Sequence, residues 1–252
     1  MTDEAARENL RLARRIKRLE STLEQVEQIR DGNASLLSKV LDDLEAERTR
    51  SHELLLNVLP APIVARLDAG ESHIADGHDH VSVLMADLVG FTQTASTLTP
   101  AELVDDLNQL FTQFDEACIR RGVEKIKTIG DAYMAVAGLD ETATDHVAAT
   151  ADLALDMLDA LKESRTPWQM RIGIHAGPVV AGIIGSRKFA YDVWGDAVNV
   201  ASRLESTSLP DRIQVSRPVA EKLDGMFALE SRGEVEIKGK GPMPTWFVVG
   251  RL

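Results

Sequence analysis

Asp87 and Asp131 are the residues from which chemistry can first be read. Asp87 closes an apolar run in MADLVGFT, and Asp131 follows Gly130 in TIGDAYMA. Carboxylates at neighbouring strand ends present hard oxygens to one point. That suits Mg2+, which binds through one or two carboxylates and completes its shell with substrate phosphates. Taken singly, each reads equally well as an aspartate in a turn. The segment after Asp87, Leu88-Val89-Gly90-Phe91-Thr92, turns towards a helix, and its backbone N–H groups could cradle a phosphate. In YDVWGDAVNVASRLES, Asp196 is placed to cap a helix that follows Trp194-Gly195. Asn199 and Arg203 stand four residues apart and share one helical face. Such a pair could hold a ribose and a phosphoryl group, or simply be a solvated polar face. Arg171 in MRIGIH, and Lys238 and Lys240 in EIKGKG, add cations suited to phosphate.

These residues need a scaffold, and the sequence predicts an α+β one. VSVLMA is a continuous, β-branched apolar run, hence a buried strand. PAELVDDLNQLFTQFDEACIRR has helical periodicity with a proline in its first turn. KIKTIGDAYMAVAG reads as two strands joined at Ile129-Gly130-Asp131. DHVAATADLALDMLDALKE is a second helix, and WQMRIGIHAG the strand after it. The order β-α-β-β-α-β is ferredoxin-like, and RIQVS, MFALE and TWFVV add C-terminal strands. The first strand is expected between the two strands of the hairpin, which would bring Asp87 and Asp131 together.

Residues 1–59 contain no proline and one glycine, Gly32. Leu12, Ile16, Leu19, Leu23 and Val26 alternate spacings of four and three, a heptad seam that resumes at Leu37, Val40, Leu44, Leu54 and Val58. A parallel dimeric coiled coil accounts for this frame better than an amphipathic helix lying on its own domain, because the frame persists across its break at Arg30 to Asn33. Pro60 and Pro62 end the helical region. IVARLDAG and the polar ESHIADGHDH form a linker over 60–80, and residues 81–252 form the second domain. His73, His78 and His80 fit no recognised metal spacing and read as linker residues.

The chain has 252 residues, 28 Lys and Arg against 40 Asp and Glu, and a net charge of −12. That balance argues against a nucleic-acid coat, where affinity comes from basic side chains. With one cysteine, Cys118, an intrachain disulfide and a thiolate zinc site are excluded. No apolar run resembles a secretory signal or a membrane helix, so a cytoplasmic location is expected, either alone or as the cytosolic part of a larger or membrane-anchored protein.

MADLVGFT, KIKTIGDAYMAVAGL, RIGIHAGPVVAGIIGSRKFAYDVWGDAVNVASRLES and EIKGKGPMPTWFV together resemble the class III nucleotidyl cyclase catalytic domain, in its order and spacing, across Val81 to Val249. LLLNVLPAPIVARL resembles the helical transducing segment that precedes many such domains. The resemblance implies that Asp87 and Asp131, with the Leu88 carbonyl, hold two divalent metal ions, Mg2+ or Mn2+. It implies that Lys127 and Asp192 read the base. Asn199 would orient the ribose, Arg203 would meet the α-phosphate, and Arg171 and Lys238 the β- and γ-phosphates. The implied reaction is attack of the ribose 3′-hydroxyl on the α-phosphorus, with pyrophosphate leaving. Stabilisation of charge by a residue such as Arg203 is typically worth about 10²–10³-fold in rate.

Adenine offers an acceptor at N1 and a donor at N6, which match a lysine donor and an aspartate acceptor. Guanine reverses both, so ATP is expected over GTP. In that resemblance Asp87, Asp131 and Arg171 match one half of a family site and Lys127, Asp192, Asn199, Arg203 and Lys238 the other half, which implies a homodimer with two shared sites. The alternatives are a guanylate cyclase and a catalytically silent coiled-coil module. Arg30, Gly32 and Asn33 would let the stalk change register in response to an upstream sensor or membrane domain. Replacing them with Leu, Ala and Leu is expected to lock cyclase activity high or low; unchanged basal and regulated activity would sink the idea.

Overall fold

The computed structural model describes residues 3–140, 145–185 and 189–252. Residues 186–188 of the quoted GIIGSRKFAYDVWGD motif therefore lie outside the described residues. The chain divides into two compact units, Met1–Val64 and Ala65–Leu252.

In the first unit, α1 (Asp3–Leu56) is one unbroken helix that passes straight through Asp31-Gly32. The interruption of the seam is therefore one of side chains, not of backbone. A helix of this length extends about 80 Å. Its seam residues are exposed, from Leu12 at 50% to Leu44 at 63%. α1 stops before Pro60, and α2 (Ala61–Asp68) follows with Pro62 in its first turn.

The second unit runs β1 (Ala75–Leu88), α3 (Phe91–Ala95), α4 (Pro100–Arg121), β2 (Glu124–Ile129), β3 (Ala132–Ala137), α5 (His146–Lys162) and β4 (Met170–Ile184). It continues with β5 (Ala190–Trp194), α6 (Asp196–Thr207), β6 (Arg212–Ser216), α7 (Arg217–Leu223), β7 (Phe227–Ile237) and β8 (Gly241–Arg251). The sheet order is β2-β3-β1-β4-β6-β8-β7, with β5 paired to β4. The first four strands take the ferredoxin-like arrangement.

One expectation is corrected. β1 lies between β3 and β4, not between the two strands of the hairpin. The crossover through α4 sets β2 parallel to β1 and one position away, and β3 returns antiparallel into the gap. β1 also starts earlier than its apolar run. Ala75 to His78 pair with Gly182 to Val179 of β4, so part of the polar connector, His78 included, is strand.

Strand alternation separates two cores. Leu84, Ala86 and Leu88 of β1 pack with Leu110, Phe114 and Ala117 of α4 and Met157 of α5. Val81, Val83 and Met85 pack on the other face with Met134, Val136 and Ala197 and Ala201 of α6. A capping box between Thr99 and Glu102 starts α4, and Gly122 at φ 64° ends it. α6 approaches β4 very closely: a Cβ on Gly173 would stand 2.2 Å from the Glu205 backbone N and 2.4 Å from the Ala201 O. Gly173→Ala is therefore expected to destabilise by about 3 kcal/mol or more in urea unfolding, because backbone cannot yield as a side chain can. Gly77→Ala, with nothing within 4 Å, serves as control and is expected to change stability by less than about 0.5 kcal/mol.

Candidate active site

The face of β1 that carries Val83 and Met85 also carries Asp87, and register then assembles the site. Asp87 pairs with Ala132 on β3 and with Arg171 on β4. Asp131 immediately precedes Ala132, in the turn where Gly130 takes φ 65°. The Arg171 guanidinium donates from Nη2 to Asp87 Oδ2 at 2.9 Å and from Nε to Glu205 Oε1 at 3.1 Å. Burial pushes the Asp131 carboxyl above its ordinary value; the Asp87 charge adds to this and Arg171 opposes it. Two carboxylates that repel one another fit a divalent cation whose shell is completed by phosphates. Among the described residues no group of three His, Cys, Asp or Glu forms a metal cage by itself. Gly90, at φ 67°, opens α3, leaving the first-turn N–H groups of Phe91 and Thr92 without an intrahelical acceptor. Phe91 is fixed by stacking on Trp168, with ring centroids 5.8 Å apart.

Lys127 and Asp192 also meet, with Nζ 2.5 Å from Oδ2. The pairing rests on an irregularity in β2. Lys125 pairs with Ala135 and Lys127 with Met134, so Ile126 is an extra residue. Two lysines at i and i+2 of a regular strand would share a face. The bulge separates them: Lys125 reaches Asp115 on α4 at 2.7 Å, and Lys127 reaches β5. Asn199, Arg203 and Lys238 are exposed, and their side chains have no partner among the described residues. Lys238 lies in the turn between β7 and β8. The same turn is tied to α6 through Lys240, whose Nζ is 2.7 Å from Asp196 Oδ2.

Asp196 is not the helix cap expected from sequence. Gly195 occupies that position without a side-chain cap, since a Cβ there would come within 2.9 Å of the Pro178 O. Asp196 instead begins the helix, where its charge still complements the dipole. Glu205 was missed altogether. It is 8% exposed and lies on α6 at the four-residue spacing of buried Ala197 and Ala201. An acid that continues a buried stripe needs a partner, and that spacing was the available signal.

Residues 74–250 match the family model described as the adenylate and guanylate cyclase catalytic domain. An adenylate cyclase of Mycobacterium tuberculosis is 52% identical over 213 residues, covering 82% of this chain and 48% of the relative. Retinal guanylyl cyclase 1 of Mus musculus is 38% identical over 244 residues, covering 93% of this chain and 22% of the relative. The guanylate cyclase domain of RhGC from Catenaria anguillulae, solved in complex with GTP, superposes with a TM-score of 0.68 at 35% identity, covering 70% of this chain and all of that one. With its fold, the converging aspartates and this match over most of its length, the chain belongs to the adenylate and guanylate cyclase catalytic domain family. It spans about half the length or less of these curated relatives. Among the described residues no helix is long and apolar enough to cross a membrane.

Burial, and then the Asp87 charge, push the Glu205 carboxyl from 4.5 up to about 7, against the pull of Arg171. Between those values the folded protein holds a proton that the unfolded chain has lost. The stability from this group is therefore fully present below pH 4.5 and is lost as pH rises through about 7. In metal-free buffer, wild type is expected to lose more melting temperature than Glu205→Gln between about pH 5 and about pH 8. Equal losses would contradict the assignment.

Proposed function

We propose that the protein is an adenylate cyclase that converts ATP to 3′,5′-cyclic AMP and pyrophosphate, at two sites shared across a homodimer. The observation that carries the choice of ATP is the Lys127–Asp192 pair. It sets a donor beside an acceptor, and adenine presents the complementary acceptor at N1 and donor at N6. Guanine would face like groups on both positions, which a site built on hydrogen bonds rejects strongly. The 52% identity to an adenylate cyclase supports the same choice. Guanylyl cyclases among the relatives keep GTP as the second reading.

Bound divalent ions, held by Asp87, Asp131 and the Leu88 carbonyl, would supply activation of the 3′-hydroxyl and charge neutralisation of the polyphosphate. Arg171 and Lys238 hold the β- and γ-phosphates, and the N–H groups of Gly90, Phe91 and Thr92 cradle them. Asn199 orients the ribose for in-line attack, and Arg203 stabilises charge that grows on the α-phosphoryl oxygens. Asn199, Arg203 and Lys238 reach the metal half of the site in a second copy of the chain. Their exposure and freedom from partners support that arrangement. So does the exposed apolar pair Val180 and Trp194, opposite one another on β4 and β5. The α1 seam would hold the two copies together as a coiled coil.

The test is product analysis from equimolar ATP and GTP, with Mg2+ and with Mn2+, at several protein concentrations. Cyclic AMP is expected to dominate, with specific activity falling on dilution, and Asp87→Ala is expected to abolish turnover while leaving the dimer intact. Dominant cyclic GMP would overturn the base-reading assignment. An absence of any cyclic product from wild type would favour a silent signalling module.

A further inference from the structure

Arg171 is held from two sides. Asp87 takes its terminal nitrogen at 2.9 Å and Glu205 its Nε at 3.1 Å, and the side chains are 26% and 11% exposed respectively. The two partners differ in what they are free to do. Asp87 is one of the proposed metal ligands, and a cation there would compete with Arg171 for its carboxylate. Glu205 is buried on α6, where Gly173 lets the helix backbone press against β4.

We propose that Glu205 is a positioning residue, which fixes the plane of the Arg171 guanidinium by its Nε so that the terminal nitrogens meet the substrate polyphosphate. The inference rests on the polyphosphate role proposed above for Arg171. A guanidinium has five N–H donors in a rigid fork. One carboxylate on Nε still leaves the far edge of the fork free for an anion. Without that anchor, an arginine released by Asp87 would keep its charge and regain its rotamers, and the binding free energy would have to supply the ordering. Glu205 sits two residues from Arg203, so the helix that presents Arg203 also braces Arg171.

The test uses the full chain with Mg2+ at about pH 8, where Glu205 is ionised, and reads two quantities: KM and kcat for ATP, and the affinity for pyrophosphate by calorimetry. Glu205→Met keeps the volume and removes the acceptor. It is expected to raise KM and weaken pyrophosphate by about ten-fold, with kcat changed by less than about three-fold, as for loss of a charge-assisted bond used equally in ground and transition states. Glu205→Gln keeps an acceptor without the charge and is expected to lose only about three-fold in both. Arg171→Met is expected to lose at least as much as Glu205→Met, and the double variant no more than Arg171→Met alone.

If both Glu205 variants bind pyrophosphate like wild type while Arg171→Met does not, Glu205 only stabilises the fold and the inference fails. Additive losses in the double variant would overturn it too. Should Glu205→Met not melt cooperatively, the Gln variant decides: undiminished affinity sinks the inference, and the three-fold loss supports it. If Arg171→Met itself binds pyrophosphate normally, the polyphosphate role of Arg171 is what has failed.

Discussion

Pairing of β1 with β3 on one side and β4 on the other places Asp87 opposite Ala132 and Arg171 at the same time. The apolar core enforces that register. Ala86 and Leu88 flank Asp87 and point to the opposite face, among Leu110, Phe114 and Ala117. A slip of one residue would exchange the faces. It would push the Asp87 carboxylate into an apolar layer and turn Leu88 outwards. A buried unpaired carboxylate is far costlier than any single lost packing contact. Hydrophobic patterning thus fixes, at one sheet end, the position of a group that the core itself excludes.

The other face is built on small residues. Gly173 on β4 and Ala197 and Ala201 on α6 let a helix and a strand approach until their backbones nearly touch. That proximity brings Glu205 within reach of Arg171. It also turns the opposite side of α6, with Asn199 and Arg203, out to solvent. Close packing here serves orientation more than stability, since larger side chains would bury more apolar area but hold the helix further off.

Much of this was legible in the sequence. The βαββαβ order follows from periodicity, the hairpin turn from Gly130-Asp131, and the tail strands from their short apolar runs. The polar seam break around Gly32 was legible, and the helix runs through it because a single glycine costs only about 1 kcal/mol, which a helix of this length absorbs. The neighbours of β1 were misread because sequence order does not say into which gap a hairpin returns. The bulge at Ile126 carries no turn residue, so nothing in KIKTI shows that Lys125 and Lys127 part company. The connector over 75–80 reads as polar because that end of β1 is largely exposed, while residues 75–78 pair along their backbone with β4. Apart from Glu205, whose signal lay within its own helix, the failures concern a partner distant in sequence, whereas each success concerns a pattern contained within one segment.

Under the proposed reading, one chain holds two incomplete half-sites, and their charges explain why a second copy is needed. Arg171 is already engaged by Asp87 and Glu205 within its own protomer, so the metal half has no spare cation before substrate arrives. Arg203 and Lys238 are cations without partners among the described residues, on a chain of net charge −12. A polyphosphate that displaces Arg171 from Asp87 brings more negative charge than Arg171 alone can balance, and the free cations of a second copy are the nearest supply. Weak association of the catalytic faces then suffices, because an exposed helical seam of about 80 Å raises the effective concentration of one domain beside the other. Nucleotide binding and dimerisation are in that case linked, and each must strengthen the other by the same factor.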